Sequence, residues 1–203
     1  MKRKPSVSGA SLRADVLTLP RLSVRFGEKQ VLSDVTITLR RGRITVLQGE
    51  SGSGKTTLLS LLAGYGGQRR VLPPELTVSV MFQEDRLFES LTAGENLRLV
   101  SRETMTPAES AALLARVGLS GADGLPVREL SGGMKRRVAL ARAVAFGGDV
   151  LLLDEPLNGV DEKNAALCLS LIRSYAERGR FVLVVSHDPA LPSRLDADVV
   201  RLG

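Results

Sequence analysis

Residues 43–63 read RITVLQGESGSGKTTLLSLLA, and this stretch decides the fold. Residues 43–48 predict a strand, which ends in a glycine-rich loop. A helix is expected to begin near Gly54 and to run through the leucine-rich segment to about Ala63. Strand, glycine-rich loop and helix in this order are the context that a phosphate-binding loop requires.

The loop itself matches the pattern G-x-x-x-x-G-K-[ST]. Such a loop curls so that successive backbone N–H groups point at phosphate oxygens, and the positive end of the following helix faces the same phosphates. Lys55 would place its charge between the β- and γ-phosphates, and the Thr56 hydroxyl would ligate Mg²⁺. The alternative is a glycine- and serine-rich turn with a chance lysine, but the flanking strand and helix favour the phosphate site. The expected phosphate-binding residues are Gly49, Glu50, Ser51, Gly52, Ser53, Gly54, Lys55, Thr56 and Thr57.

A second motif, VLLLDEP at 150–156, places two acidic residues directly after four apolar residues. The apolar run predicts a buried strand, and α/β sheets bind ligands at the carboxyl ends of their strands. Asp154 is therefore expected to hold Mg²⁺, directly or through water. Glu155 is expected to polarise the attacking water as a general base. The alternative, an exposed acidic strand end, is disfavoured by the phosphate loop upstream.

The remaining pattern predicts an α/β fold. The apolar runs 150–153 and 181–185 lack alternation, as in strands of a parallel sheet, and an amphipathic helix at about 161–177 separates them. Residues 35–39 alternate apolar and polar, which predicts an antiparallel strand. We therefore expect a P-loop NTPase core, with a mostly parallel sheet flanked by helices. It should carry an N-terminal antiparallel β lobe and a helical insert at about 84–130.

The composition fits one domain. The chain has 203 residues, 43% apolar and 25% charged, and is expected to form a frayed basic tail at 1–11 and a single domain at 12–203. Cys168 is the only cysteine, which excludes a disulfide framework within the chain and a cysteine-rich zinc site, and it lies on an apolar helix stripe. No apolar run reaches the length of a membrane-spanning helix. A secretory signal requires an apolar stretch after its basic start, and none follows here.

The net charge of +6 would attract nucleic acid, anionic lipid or nucleotide phosphates alike. Only 3% of the residues are aromatic and none is Trp, so base-stacking platforms are not expected. Lys135, Arg136 and Arg137 are predicted to form a solvated face of a helix at 132–146, with a contact to phosphate as the alternative.

The segment LSGGM at 130–134, which precedes VLLLDEP, resembles the signature of ATP-binding cassette (ABC) ATPases. Other segments match that family's motifs in the family's order, over about residues 12–203. They supply Phe26 for adenine stacking, Gln83 in the Q-loop, Asp161 in the D-loop and His187 in the switch position. Within the family, MFQEDRL and LTAGENL are most similar to the cassettes of nitrate/sulfonate/taurine-type importers.

The resemblance implies a site for ATP and Mg²⁺ that two chains share. Ser131, Gly132 and Gly133 would begin a helix whose N–H groups form an anion site, and would meet the γ-phosphate held by the other chain. The resemblance implies that His187 contacts the γ-phosphate and that Gln83 binds Mg²⁺ or water. A lone histidine, a surface glutamine or a strand-end phenylalanine is also often purely structural.

The resemblance further implies the partners. Two chains, as a homodimer or paired cassettes, would bind two ATP molecules head to tail. Separate membrane permease subunits would dock on the Q-loop and the helical insert, and an extracytoplasmic solute-binding protein would deliver the solute. The chain would be cytoplasmic and peripheral on the inner face of the cell membrane, and nucleic acid is not expected as a partner.

The sequence departs from the family pattern at several positions, none of which removes a catalytic group. Met134 stands where glutamine is usual, and Asn158 and Gly159 stand where serine and alanine are common. The stretch between the phosphate loop and Gln83 is short, which predicts a trimmed antiparallel lobe. Besides a transport ATPase, the sequence leaves two alternatives open. One is a soluble ABC-type ATPase acting on nucleic acid or ribosomes, and the other is a regulatory nucleotide-binding subunit with little turnover. Glu155 and His187 are both present, which argues against the last.

Overall fold

The computed structural model describes residues 11–13, 15–26, 29–50, 52–65 and 70–202. The predicted frayed tail lies almost wholly outside these residues. The strands are β1 (Ser11–Arg13), β2 (Val16–Phe26), β3 (Lys29–Arg40), β4 (Ile44–Gly49), β5 (Val78–Met81), β6 (Val150–Asp154), β7 (Phe181–Val185) and β8 (Asp198–Leu202). The helices are α1 (Lys55–Ala63), α2 (Ala93–Arg98), α3 (Pro107–Ala115), α4 (Gly132–Phe146), α5 (Glu162–Glu177) and α6 (Leu191–Leu195), with a 3₁₀ turn at Val127–Glu129.

Five strands form a parallel sheet in the order β5-β6-β7-β4-β8. Every residue of β6 and β7 is buried, which is why these strands are continuous apolar runs in the sequence. The strand order brings the ends of β5, β6, β7 and β4 side by side at one edge. The predicted α/β class with its parallel core is confirmed.

The parallel sheet separates two hydrophobic cores. Alternate residues of β6 point to opposite faces, Leu151 and Leu153 to one core and Val150 and Leu152 to the other. The first core packs the sheet against α2 to α6, and we call it the helical core. The second packs it against α1 and the antiparallel sheet, and we call it the β-lobe core.

The antiparallel sheet has three strands in the order β1-β2-β3, as the sequence predicted for the start of the chain. β2 and β3 form a long hairpin that ends with Phe26 paired to Lys29, and the predicted turn at 27–28 lies outside the described residues. Leu17, Leu19, Ile37 and Leu39 are fully buried on the inner face of this hairpin. The hairpin therefore rests on α1 and on one face of the parallel sheet.

The region predicted as a helical insert contains α2, α3 and the 3₁₀ turn. The capping box predicted at the start of α3 is present. The Thr106 hydroxyl accepts from the Glu109 N–H at 3.2 Å, and the Glu109 carboxylate accepts from the Thr106 N–H at 2.7 Å. No helix in the described part of the chain combines the length and apolarity needed to cross a bilayer.

Candidate functional site

One cavity of about 460 Å³ lies at the carboxyl ends of four neighbouring strands. The phosphate loop follows β4, Gln83 follows β5, Asp154 ends β6 and His187 follows β7. The lining residues are Val31, Gly49, Gly52, Gly54, Lys55, Thr56, Thr57, Gln83, Asp154, Glu155, Asn158 and His187. Segments that are far apart in the sequence thus meet around one space.

The phosphate loop depends on two glycines with left-handed backbone. Gly52 has φ +83° and Gly54 has φ +95°, a region that L side chains rarely adopt. Gly54 is the N-cap of α1 and has no side chain to cap it, so the first N–H groups of the helix stay available to a ligand. The Lys55 ammonium donates to the carbonyls of Gly49 and Glu50, both at 2.7 Å, and holds the loop closed on itself. Ser51 lies outside the described residues.

The Asp154 carboxyl group is buried at the floor of the cavity. Burial raises its pKa, and the neighbouring charge of Glu155 raises it further, while Arg136 and Lys55 oppose the shift. The Thr56 hydroxyl hydrogen-bonds to this carboxyl group. Two adjacent carboxylates, one of them buried, favour a bound cation, because its charge offsets both the burial and their mutual repulsion.

The side chains of Asp154, Thr56 and Gln83 offer oxygen atoms to the same cavity. Oxygen donors, with one carboxylate and room for water and phosphate oxygens, are what Mg²⁺ prefers in nucleotide sites. The residues present therefore fit the cation that the sequence predicted.

Glu155 has a strained backbone and an ordered side chain. Its φ of +48° is unusual for a residue other than glycine and costs on the order of 1 kcal/mol. Its carboxylate Oε1 accepts from the His187 backbone N–H at 3.0 Å and lies 2.8 Å from His187 Nδ1. The Ser186 hydroxyl lies 3.3 Å from Oε2. The strand end after β7 thus aims the Glu155 carboxylate into the cavity.

The signature segment lies elsewhere. Ser131 is the N-cap of α4, where its hydroxyl accepts from the Met134 N–H at 3.3 Å. Ser131 and Gly132 are exposed, and the described residues that line the cavity include none from 130–134. The N-terminus of this 15-residue helix is therefore exposed and is not part of the described lining of the chain's own cavity.

Of two further predicted site residues, Asp161 is not among the described residues that line the cavity, and Phe26 has no described side chain. Asp161 is the N-cap of α5, and its carboxylate accepts from the Asn164 N–H at 3.1 Å and from the Asn164 side-chain amide at 2.7 Å. These bonds lower its pKa. Phe26 is the last residue of β2, but its side chain lies outside the described part of the chain, so the predicted adenine stacking stays a prediction.

The prediction that Arg136 and Arg137 form a solvated face of α4 is wrong. Their exposed fractions are 4% and 8%, and backbone carbonyls from distant segments surround both guanidinium groups. The sequence contained a usable signal, since Arg136 lies three and four residues before Ala139 and Leu140 on the buried face of α4. Only Lys135 bonds at the surface, to Glu89 at 3.0 Å.

Comparisons with known proteins agree with this geometry. A family model described as ABC transporter matches residues 32–158. The aliphatic sulfonates import ATP-binding protein SsuB of Delftia acidovorans is 40% identical over 190 residues, covering 91% of this chain and 76% of that protein. The taurine import ATP-binding protein TauB of Escherichia coli K12 is 35% identical over 188 residues, covering 85% and 74%.

A solved structure has the same fold. The dimeric ATP-binding cassette MJ0796, in a post-hydrolysis state bound to ADP and Pi, superposes with a TM-score of 0.71 at 25% identity. The match covers 89% of this chain and 90% of that chain. Together with the sequence relatives, it confirms the family resemblance that the motifs indicated.

Proposed function

The chain belongs to the ABC transporter family of ATP-binding proteins, and from that premise we propose that it hydrolyses ATP to drive solute import through separate membrane permease subunits. The observation that carries the proposal is the cavity in which the phosphate loop, Asp154, Glu155 and His187 meet. The partner and substrate assignments below are parts of the same proposal.

The chain's own residues supply the steps of hydrolysis. The loop N–H groups and Lys55 hold the phosphates of ATP, which requires Lys55 to leave the two loop carbonyls it now contacts. Glu155 accepts a proton from the attacking water. His187 bonds to the Glu155 carboxylate and keeps that carboxylate oriented toward the γ-phosphate. Asp154, Thr56 and Gln83 would hold Mg²⁺, which would supply charge neutralisation at the phosphates when bound.

We propose that two copies complete each other's sites head to tail. Ser131 and Gly132 are exposed at the start of α4 and are not among the described residues that line the chain's own cavity, and an exposed helix N-terminus is suited to bind a phosphate. If a second chain supplies the phosphate, two-fold symmetry lets the start of α4 in each chain contact the phosphate bound by the other chain. The dimeric cassette MJ0796 with the same fold supports this arrangement.

The proposed membrane partner docks on the segment after Gln83 and on the helical insert. Within this part of the chain, Phe88, Leu99 and Leu125 are exposed by 50%, 59% and 41%. Large exposed apolar side chains that lie in one region mark surfaces for protein partners. The chain would thus act at the cytoplasmic face of the membrane.

The likeness to sulfonate and taurine import subunits leads us to propose small sulfonates as the solute class. Recognition of the solute would belong to the permease and to an extracytoplasmic binding protein. The same likeness disfavours a soluble ATPase acting on nucleic acid or ribosomes.

A mixing experiment tests the proposal. Lys55→Ala removes the phosphate charge from one chain's cavity, and Ser131→Arg blocks the surface offered to the other chain. Each variant alone should be inactive as an ATPase. Their heterodimer keeps one intact site, with Lys55 from one chain and Ser131 from the other, so mixing should restore part of the wild-type rate.

The matched control mixes Lys55→Ala with Glu155→Gln. Both residues lie in the cavity of their own chain, so every heterodimer site carries a defect and no activity should return. Native mass spectrometry establishes that heterodimers form. Equal recovery in both mixtures, or none in the first despite heterodimers, would show that the sites are not shared. A wild-type protein without ATPase activity would refute the proposed function altogether.

A further inference from the structure

The buried guanidinium group of Arg136 joins two segments of the site. Its Nη1 donates to the carbonyls of Phe82 and Gln83, at 3.0 and 2.7 Å, and to the Asp85 carboxylate at 2.8 Å. Its Nη2 and Nε donate to the Glu155 carbonyl at 2.6 and 3.2 Å, and Nη2 also bonds to the Asp154 carbonyl. One side chain of α4 therefore bonds to the strand ends after β5 and β6.

An arginine is suited to this place for a geometric reason. Its planar group presents donors along two edges, so one edge can face residues 82–85 while the other faces residues 154–155. The buried charge is balanced by the Asp85 carboxylate and by carbonyl oxygens. A lysine would keep the charge but would present all its donors from a single nitrogen.

The contact falls where the site is strained. Glu155 holds its left-handed backbone between two anchors, because its N–H donates to the Val185 carbonyl at 2.9 Å and its carbonyl accepts from Arg136. Strained backbone persists where the surroundings over-determine it. Without Arg136, the Glu155 peptide keeps only its bond to β7 and to the turn at Asn158.

We infer that Arg136 is a positioning residue that couples the segment 82–85 to the Glu155 carboxylate. A displacement of the segment that carries Gln83 is transmitted through one guanidinium group to the backbone of Glu155, and so changes where its carboxylate points. The inference rests on the proposed function, in which Glu155 activates water. It assigns to α4 a role besides that of its exposed N-terminus.

The first test compares Arg136→Met and Arg136→Lys with Arg142→Met. Arg142 lies on the same helix and donates to the carbonyls of Asp85 and Arg86, at 2.8 and 2.7 Å, but in the described structure it has no bond to residues 154–155. Both Arg136 variants should lower kcat by about 10- to 100-fold, with KM for ATP within about threefold of wild type. Arg142→Met should keep kcat within about threefold.

The second test is a double-mutant cycle on kcat with Asp85→Asn. Asp85 fixes one edge of Arg136, so this variant should lower kcat by about 3- to 10-fold in the wild-type background and by less than about twofold in Arg136→Met. A purely structural role would instead give independent effects that multiply. If Arg136→Met fails to fold, Asp85→Asn alone decides.

Several results would overturn the inference. They are a wild-type kcat in Arg136→Lys, equal losses for Arg136 and Arg142, or a kcat unchanged by Asp85→Asn. The proposed function fails separately, if the wild-type protein has no ATPase activity, and the role of Glu155 as the base fails if Glu155→Gln hydrolyses ATP at the wild-type rate. A slow Glu155→Gln with fully active Arg136 variants would leave the proposed function intact and remove only the coupling role.

Discussion

Replacing Gly54 by alanine should destabilise the nucleotide-free protein much more than replacing Gly52. Both glycines have left-handed backbone, which costs an alanine about 1–2 kcal/mol and is partly offset by about 0.4–1 kcal/mol from the stiffer unfolded chain. They differ in their surroundings. A Cβ on Gly54 would lie 2.7 Å from a methyl group of Leu32 and 2.9 Å from the Val31 carbonyl, whereas a Cβ on Gly52 meets nothing within 4 Å.

The clash sets the magnitude. Leu32 is buried in the β-lobe core and Val31 belongs to the long hairpin, so the hairpin or α1 must shift to admit the methyl group. Overpacking of this kind costs about 1–3 kcal/mol. We expect Gly52→Ala to lower the free energy of unfolding by roughly 1 kcal/mol and Gly54→Ala by roughly 2–4 kcal/mol.

Urea unfolding of both variants without nucleotide, followed by far-UV circular dichroism, measures the difference. Nucleotide must be absent because binding would add its own stabilisation. Losses that agree within about 0.5 kcal/mol would refute the packing argument, since only the shared backbone cost would remain.

Three other predictions follow from the site and the core. Glu155→Gln should bind Mg-ATP but hydrolyse it at least about 100-fold more slowly, and should accumulate as an ATP-dependent dimer in size-exclusion chromatography; a monomeric, fully active variant would place the base elsewhere. Tyr175→Phe should cost about 1–3 kcal/mol in thermal unfolding, because the buried hydroxyl donates to the Gly148 carbonyl at 2.5 Å, whereas the exposed Tyr65→Phe should cost less than about 0.5 kcal/mol. Cys168 should not react with a maleimide at pH 8 until the protein unfolds, because the thiol is fully buried and burial raises its pKa to about 11; rapid labelling of the native protein would contradict this.

The parallel core could be predicted because its signals are local. The apolar runs of β6 and β7, the glycine pattern before α1 and the capping box of α3 each occupy a few consecutive residues. Parallel strands then bring their carboxyl ends together, and the cavity follows from the strand order. For the same reason, the meeting of Asp154 with the phosphate loop could be predicted without knowledge of side-chain packing.

The burial of Arg136 and Arg137 could not be predicted from charge. Their partners are mostly backbone carbonyls, which any residue type supplies, and they come from segments far along the chain, such as Phe82 and Val117. The capping role of Asp161 was not predicted, although a local signal exists, because an aspartate directly before a helix is a preferred N-cap. Short α6 gave too few residues for a periodic pattern.

The separation of the helical core from the β-lobe core bears on how such a protein can change over evolutionary time. Substitutions that repack one side of the parallel sheet have few neighbours in common with substitutions on the other, so their effects on stability should largely add. A lineage can then lengthen or trim the antiparallel hairpin without disturbing α2 to α4. Adaptation of the helical side and adaptation of the antiparallel lobe can accordingly accumulate largely independently of each other.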